Sequence, residues 1–279
     1  GYQNAAELNT ATALLVMFCY TLQLYFDFSG YCDMAVGVAK MINIELPYNF
    51  NSPYKSKSIS EFWDRWHMTL TRFFTRYVYI PLGGSRRGKI RTYVNTIIVF
   101  LLSGLWHGAN WTFLFWGFLH GIFMVIERIG RNIGIGSKKI AGWLGKVQDC
   151  FKWGVTFILI NITWIFFRAE TLEVAFLYLK RIFSGGWKCQ EYIIEIFDKL
   201  IEVRLLKRIG LEGVLEASVD RTIWAILIIM VFGVVFLPNT QEKMKLEKYN
   251  WLRSVTIVIL MVWSIISLSD VSEFLYFNF

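Results

Sequence analysis

The chain has 279 residues, of which 55% are hydrophobic and only 18% are charged. A soluble domain of this length carries roughly a quarter charged residues, so the excess of apolar side chains predicts a polytopic membrane protein that faces a lipid bilayer. The formal net charge is +8, but the basic residues lie in short clusters between apolar segments. Such clusters are typical of loops that flank membrane spans, so we expect no nucleic-acid partner. The cysteines form no CxxC pair, which argues against a structural zinc site.

The N-terminal part of the chain alternates between apolar and polar segments. Residues 10–26 are long enough to span a membrane, and Asp27 together with the following Ser-Gly pair predicts the end of that span. Residues 31–42 continue with Asp33 inside them, so this segment is predicted to pack against protein. Residues 45–60 are polar and contain two prolines, which predicts an irregular loop.

A helix with charged residues on one side is predicted next. It begins at Ser60 and continues as EFWDRWHMTLTRFFTRYVYIPL, the pattern of an amphipathic or partly buried helix. The basic segment GGSRRGKIR follows as a flexible loop. Its Arg86, Arg87 and Lys89 either mark a cytoplasmic loop or bind the phosphates of a donor such as coenzyme A. On the sequence alone, the topological explanation is favoured.

The remaining chain is predicted to be helical, which makes the fold class all-α. Helices are expected at residues 93–106, 111–126, 152–167, 171–183, 191–208, 222–237 and 251–268. The segments 171–183 and 191–208 are amphipathic and are expected at the membrane interface. Asn161, inside an otherwise apolar span, is predicted to hydrogen-bond a neighbouring helix. No repeat or linker divides residues 1–279, so we predict a single membrane-embedded domain.

The stretch SGLWHGANWTFLFWGFLHG contains two histidines in a nearly uninterrupted apolar run. An ionisable side chain is costly in hydrocarbon, so His107 and His120 are candidates for function. At about 100° per residue, His107 shares a helix face with Asn110 and Trp111. His120 falls elsewhere, with Trp116. The two histidines are therefore predicted to lie in different sites, and their spacing does not match the HExxH zinc motif.

Several motifs together resemble the membrane-bound O-acyltransferase family. They are YFDFSGYCDMAVGVAK, SISEFWDRWHMTLTRFF, YIPLGGSRRG, the WHG of the histidine stretch and the terminal FLYFNF. The chain most resembles the branch that O-acetylates alginate and related bacterial polysaccharides. The resemblance implies an all-α bundle of transmembrane and re-entrant or interfacial helices around a central tunnel. It also implies that the chain is the C-terminal part of a longer protein.

The resemblance assigns roles to particular residues. The family's near-invariant histidine matches His107, which is the expected general base. Its second polar position matches His67, which is expected to orient the donor or the acceptor. Trp106, Asn110 and Trp111 lie beside His107 in the sequence and are expected to line the tunnel. His120, in the LHG that often follows in this branch, is expected to have only a supporting role.

The resemblance further implies an enzyme that moves an acetyl group across the membrane to an extracytoplasmic polysaccharide. The expected donor is acetyl-coenzyme A or another thioester, including one on an acyl carrier, and the acceptor is the glycan or a partner acetyltransferase. We expect a multi-pass protein of the bacterial cell membrane with no bound cofactor and no metal. Three alternatives remain open: D-alanyl transfer to teichoic acid, a non-catalytic scaffold of the acetylation complex, and a transporter that relays protons. A transporter would favour two repeated halves, which the sequence does not show.

Overall fold

The computed structural model describes residues 5–134, 142–211, 213, 219–246 and 250–267. Within these ranges the chain forms helices joined by turns and loops, and no strand is present. The helices are α1 (Thr10–Met41), α2 (Ile59–Arg65), α3 (Met68–Phe74), α4 (Lys89–His107), α5 (Trp111–Asn132), α6 (Trp143–Arg168), α7 (Leu172–Arg181), α8 (Glu191–Lys199), α9 (Ile201–Leu206), α10 (Val219–Phe236), α11 (Thr240–Leu246) and α12 (Trp251–Ser267). The all-α prediction is confirmed. The FLYFNF terminus lies outside the described residues.

Four of the described helices, α1, α5, α6 and α10, are long and apolar enough to cross a membrane. The predicted end of the first span at Asp27 is wrong, because α1 continues without a break for 32 residues to Met41. A single helical glycine costs only about 1 kcal/mol relative to alanine, and backbone hydrogen bonds on both sides of Gly30 outweigh it. Residues 31–41 are therefore the C-terminal third of α1.

The core lies where α1, α2, α5, α6 and α7 meet. Its largest fully buried side chains include Trp116, Trp164, Tyr178 and Phe62. The predicted interhelical role of Asn161 is confirmed, since its Oδ1 lies 2.7 Å from the hydroxyl of a threonine in α1. Aromatic side chains of this size bury a large apolar area, and their packing fixes how α2 and α5 sit against α6.

Helices α4 and α5 form a tight antiparallel hairpin. A Cβ atom on Gly104 would overlap the carbonyl oxygen of Phe113, and one on Gly117 would overlap that of Phe100. The two backbones can approach this closely only because glycine occupies both positions, as in small-residue contacts between membrane helices. The hairpin brings together the two helices predicted at residues 93–106 and 111–126.

The helix predicted from Ser60 onward is broken into shorter pieces. Ser58 caps α2, α2 ends at Arg65, and α3 begins at Met68. The loop before α2 causes the break, because the carbonyl of Asn49 accepts a hydrogen bond from the Met68 amide at 3.0 Å. These tertiary bonds replace the intrahelical ones. A break at residue 200 likewise divides the predicted helix 191–208 into α8 and α9.

Candidate active site

His107 is the last residue of α4, immediately before the turn into α5. The helix ends at Gly108, whose amide bonds back to the carbonyl of Leu105. A Cβ atom on Gly108 would collide with the ring of Phe113, so the turn packs tightly on α5. The His107 ring is half-buried and lies 5.0 Å from the ring of Phe167 between centroids. Both helices and the C-terminal end of α6 therefore fix its position.

His67 joins α2 to α3 in a left-handed backbone conformation, with φ 43° and ψ 51°. Its Nδ1 lies 3.2 Å from Oδ1 of Asn49. The Nδ2 group of the same amide faces the sulfur of Cys32 at 3.5 Å, so Oδ1 is the acceptor and His67 Nδ1 is the donor. A neutral His67 ring therefore leaves an unprotonated Nε2, which can act as a hydrogen-bond acceptor or a base.

Burial determines the charge of His67. The residue lies outside the helices long enough to cross a membrane, and removal from water lowers its pKa from 6.5 to about 4. His67 is therefore neutral at pH 7. The free lone pair on Nε2 is thus available under physiological conditions.

The indole of Trp106 contacts both histidines. Its centroid lies 6.3 Å from that of His67 and 4.8 Å from that of His107. Trp106 is 54% exposed, so this group reaches the protein surface. The structure thus brings together two imidazoles from distant parts of the sequence on one aromatic side chain. Such a pair can move a proton to and from a bound hydroxyl group.

The prediction that His107 shares a helix face with Asn110 and Trp111 is wrong. Helix phase applies only within a continuous helix, and α4 ends at His107 while α5 starts at Trp111. The Asn110 side chain caps α5, accepting from the Thr112 amide and donating to the carbonyl of Glu170. Trp111 is 73% exposed at the first position of α5.

The basic loop before α4 has a defined shape. Gly83 and Gly84 adopt positive φ values of 102° and 54°, which side chains other than glycine rarely adopt. The buried amide of Asn95 holds the loop by donating to the carbonyls of Leu82 and Gly84, at 3.2 and 3.1 Å. The three basic candidates, Arg86, Arg87 and Lys89, are exposed. Lys89 is the first residue of α4, which corrects its predicted place in the loop.

A cavity of about 290 Å³ lies between α2, α3, α4 and α5. Ser103 lines it, four residues before His107 and therefore about 6 Å away along the α4 axis. Trp63 and Phe100 form part of its apolar wall. Arg128 and Arg131 also line it. The cavity thus extends from one helical turn below His107 to a pair of guanidinium groups on α5.

His120 lies in a separate environment from His107. Its side chain is fully buried in α5, and Nδ1 accepts a hydrogen bond from Nε1 of Trp63 at 3.2 Å. The indole of Trp116 lies between the two histidines, with centroids 5.4 Å from His107 and 5.0 Å from His120. Within the described ranges, no three His, Cys, Asp or Glu side chains are arranged to hold a metal ion.

Comparison with known proteins relates the sequence of this chain to a family. Residues 5–137 match the sequence model of the membrane-bound O-acyltransferase family. Over its whole length the chain is 38% identical to a peptidoglycan O-acetyltransferase of Helicobacter pylori, across 51% of that protein. The chain is related to the membrane-bound O-acyltransferases. This confirms the resemblance inferred from the sequence motifs. The matched segment includes both His67 and His107.

Other relatives carry similar names. The chain is 40% identical to the "Probable alginate O-acetylase AlgI" of Pseudomonas aeruginosa, over 86% of this chain and 41% of that protein. A teichoic acid D-alanyltransferase of Bacillus subtilis is 39% identical over 40% of this chain and 30% of its own length. The chain spans about half the length of the curated relatives that match it most fully.

Sequence reasoning missed two residues that organise the site. Asn49 orients His67, yet it lies in a loop that the sequence marks only as polar. Trp63 connects the cavity to His120, but on the sequence it is one of twelve tryptophans. A partial signal for Asn49 exists, because an asparagine among aromatic residues in a loop often bonds the backbone of a neighbouring segment.

Proposed function

We propose that the full-length protein is a multi-pass cell-membrane enzyme that transfers an acetyl group from a thioester to a hydroxyl group for polysaccharide O-acetylation. The observation that carries this proposal is the convergence of His67 and His107 on Trp106, one helical turn from a cavity. The names of the relatives, which include peptidoglycan and alginate O-acetylation, support the reaction class.

In the proposed reaction, His107 acts as the general base. The acceptor oxygen attacks the thioester carbonyl carbon while its proton moves to an imidazole nitrogen of His107. The tetrahedral intermediate then collapses, the carbon–sulfur bond breaks, and the thiolate takes the proton from the imidazolium. The products are an O-acetyl ester and a free thiol, and the base is regenerated without a cofactor.

His67 is proposed to orient the acceptor. Because Asn49 holds the proton of the neutral ring on Nδ1, the Nε2 atom accepts a hydrogen bond from a hydroxyl group. Aligning the acceptor in this way favours a reactive geometry, an effect that contributes strongly to enzymatic rates. His67 therefore complements His107 and does not duplicate it.

The donor is proposed to enter from the cytoplasmic side. The α4–α5 hairpin places the loop before α4 and the C-terminal end of α5 at the same end, opposite His107. Basic residues accumulate there: Arg86, Arg87, Lys89, Arg128 and Arg131. This accumulation supports our proposal that this end faces the cytoplasm. The acyl group then moves through a tunnel that includes the cavity toward His107.

The size of the cavity indicates which part of the donor it holds. At about 290 Å³ it is at the lower limit for small-molecule sites, so a slender thioester arm fits better than a whole nucleotide. The phosphates of coenzyme A, or the surface of an acyl carrier, are then proposed to lie on the exposed Arg86, Arg87 and Lys89. Trp106, Asn110 and Trp111 remain proposed to line the tunnel.

The test measures base-releasable acetate on purified surface polysaccharide from cells with the full-length protein. His107→Ala is expected to abolish the acetate at matched membrane abundance. His67→Asn is the matched variant for His67, since asparagine tolerates the left-handed backbone at this position. Asp149→Asn, which weakens a half-exposed ion pair with Lys57, serves as the control and is expected to retain acetylation.

Persistence of acetate in the His107→Ala variant would refute the proposed role of His107 and favour a scaffold. Loss of D-alanine in place of acetate would favour the teichoic acid alternative. The similarity to the Bacillus subtilis D-alanyltransferase gives this alternative limited support, because it covers only 40% of this chain. Either result changes the assigned function and leaves the fold unaffected.

A further inference from the structure

The buried His120 has a defined hydrogen-bonding state. Its Nδ1 accepts from Trp63, so the neutral ring carries its proton on Nε2. Nε2 is buried and has no hydrogen-bond partner among the described residues. His120 therefore provides one used acceptor and one unused donor inside the aromatic core.

The partner of His120 belongs to the wall of the 290 Å³ cavity. Trp63 and Phe100 both line the cavity, with ring centroids 5.1 Å apart. The hydrogen bond to His120 determines how the Trp63 indole is turned, since Nε1–H must point away from the cavity into the core. The orientation of this wall thus depends on His120.

A second contact leads from His120 toward the catalytic candidate. The His120 ring packs on Trp116, and Trp116 packs edge-on against His107, with an interplanar angle of 89°. Displacement of His120 would move Trp116, which is only 1% exposed and has little free space. His120 is therefore connected by packing to both the cavity wall and His107.

Packing alone does not require a histidine at this position. A leucine would fill the space without burying an unpartnered N–H group. What the histidine adds is an acceptor for Trp63. Replacing it with leucine removes the unpartnered Nε2–H but leaves the Trp63 N–H without an acceptor, so the two effects on stability oppose each other.

We infer that His120 is a positioning residue for acyl transfer. Through its Nδ1 atom it fixes the orientation of the Trp63 indole in the cavity wall, and through its packing on Trp116 it holds the His107 ring in place. The inference rests on the proposed function, because it assumes that the cavity holds the acyl donor. It extends that function to a third histidine, His120, which orients the cavity wall, whereas His67 and His107 act on the substrates.

The test compares kcat and KM for acetyl transfer from a thioester donor, with the full-length protein in proteoliposomes. His120→Leu is expected to raise KM and lower kcat, with kcat/KM falling at least about tenfold, since small misplacements near a reacting group have large effects on rate. His120→Asn supplies an acceptor oxygen near the position of Nδ1 and is expected to restore most of the activity. Phe118→Leu, on an exposed part of α5, is the control.

A double-variant cycle identifies the hydrogen bond itself. Trp63→Phe removes the donor but keeps an aromatic wall, and it is expected to raise KM. In combination with His120→Leu the effects should not add, because both changes remove the same bond. If His120→Leu fails to accumulate, the comparison of Trp63→Phe with His120→Asn still decides the matter, since only the former should raise KM.

Three results would overturn the inference: an unchanged kcat and KM in His120→Leu, equal losses in His120→Leu and His120→Asn, or additive effects in the double variant. His107→Ala is measured in parallel. If the wild-type protein transfers no acetate, the proposed function itself fails. If His107→Ala transfers acetate normally, only its proposed role as the general base fails. If it is inactive while His120→Leu is unaffected, only the role of His120 is refuted.

Discussion

Replacing Asn49 with aspartate should make acyl transfer sensitive to acid. The Asn49 Oδ1 atom receives three donors: His67 Nδ1 at 3.2 Å, the Thr69 amide at 3.1 Å and the Thr69 hydroxyl at 2.8 Å. Aspartate has the same shape and can accept all three hydrogen bonds. The substitution loses only the contact with Cys32 and adds a negative charge beside His67.

The size of the loss of activity at low pH follows from how far the new carboxylate raises the pKa of His67. In the wild type, burial lowers the pKa of His67 to about 4, so about 1% of the rings are protonated at pH 6. An opposite charge at this distance raises a histidine pKa by about 1–3 units. With a rise of about two units, about half of the His67 rings carry a second proton at pH 6. That proton occupies Nε2 and removes the proposed acceptor for the substrate hydroxyl.

The assay is the rate of acetyl transfer at saturating substrate between pH 5 and pH 8, expressed as the ratio of Asn49→Asp to wild type at each pH. The ratio is expected to be near one at pH 8, about one half at pH 6 and about one tenth at pH 5. Activity is lost as the pH falls, because the substitution stabilises the charged ring. Cys32→Ala controls for the lost contact with sulfur and should keep a constant ratio.

A constant ratio down to pH 5, in a variant that remains folded and abundant, would refute the argument. It would mean either that His67 does not bond Asn49 in the working enzyme or that its neutral form is not required. A new titration detected on His67, with no change in rate, would separate the second case from the first.

Three further outcomes are expected. Gly117→Ala should destabilise the fold by about 1–3 kcal/mol, seen as a lower melting temperature, because the added methyl group overlaps a facing carbonyl. Gly154→Ala is the control, since its methyl group meets no atom within 4 Å. Equal melting temperatures for the two variants would contradict the close helix contact. Asn95→Ala should raise the donor KM up to about tenfold with little change in kcat, since it releases the basic loop, and an unchanged KM would exclude the loop from binding. Arg86→Ala combined with Arg87→Ala should raise the KM for an anionic donor and weaken its salt dependence, which steady-state rates at two ionic strengths will show.

The helices of the chain can be predicted from the sequence, because apolar runs and the glycine, proline and capping residues at helix ends influence only their near neighbours in the chain. The turn between α4 and α5 is an example. Gly108 ends one helix and Asn110 caps the next, which agrees with the two separate helices predicted at residues 93–106 and 111–126. The same local reasoning fails at Asp27 and Gly30, where the hydrogen bonds of a 32-residue helix outweigh two unfavourable residues.

The break at His67 could not be predicted in this way. Residues 60–74 favour a continuous helix, and the interruption comes from Asn49, which takes hydrogen bonds from the backbone of the next segment. A contact between residues so far apart in the chain leaves no periodic pattern. For the same reason, the sequence reaches His67 as a site residue only through the family resemblance, and it gives no sign that Trp106 will meet it.

The positions of the two histidines explain why the helix-face prediction failed and why the pair can still act together. His67 precedes α3 and His107 ends α4, so each lies where the regular hydrogen-bond ladder stops. At a helix end, the side chain is oriented by neighbouring segments, as Asn49 orients His67 and Phe167 packs on His107. The helix interiors, with their glycine contacts and buried tryptophans, then maintain the distance between the ends. Substitutions inside the hairpin should therefore change stability first, whereas substitutions at the two ends should change the rate of transfer while the fold persists.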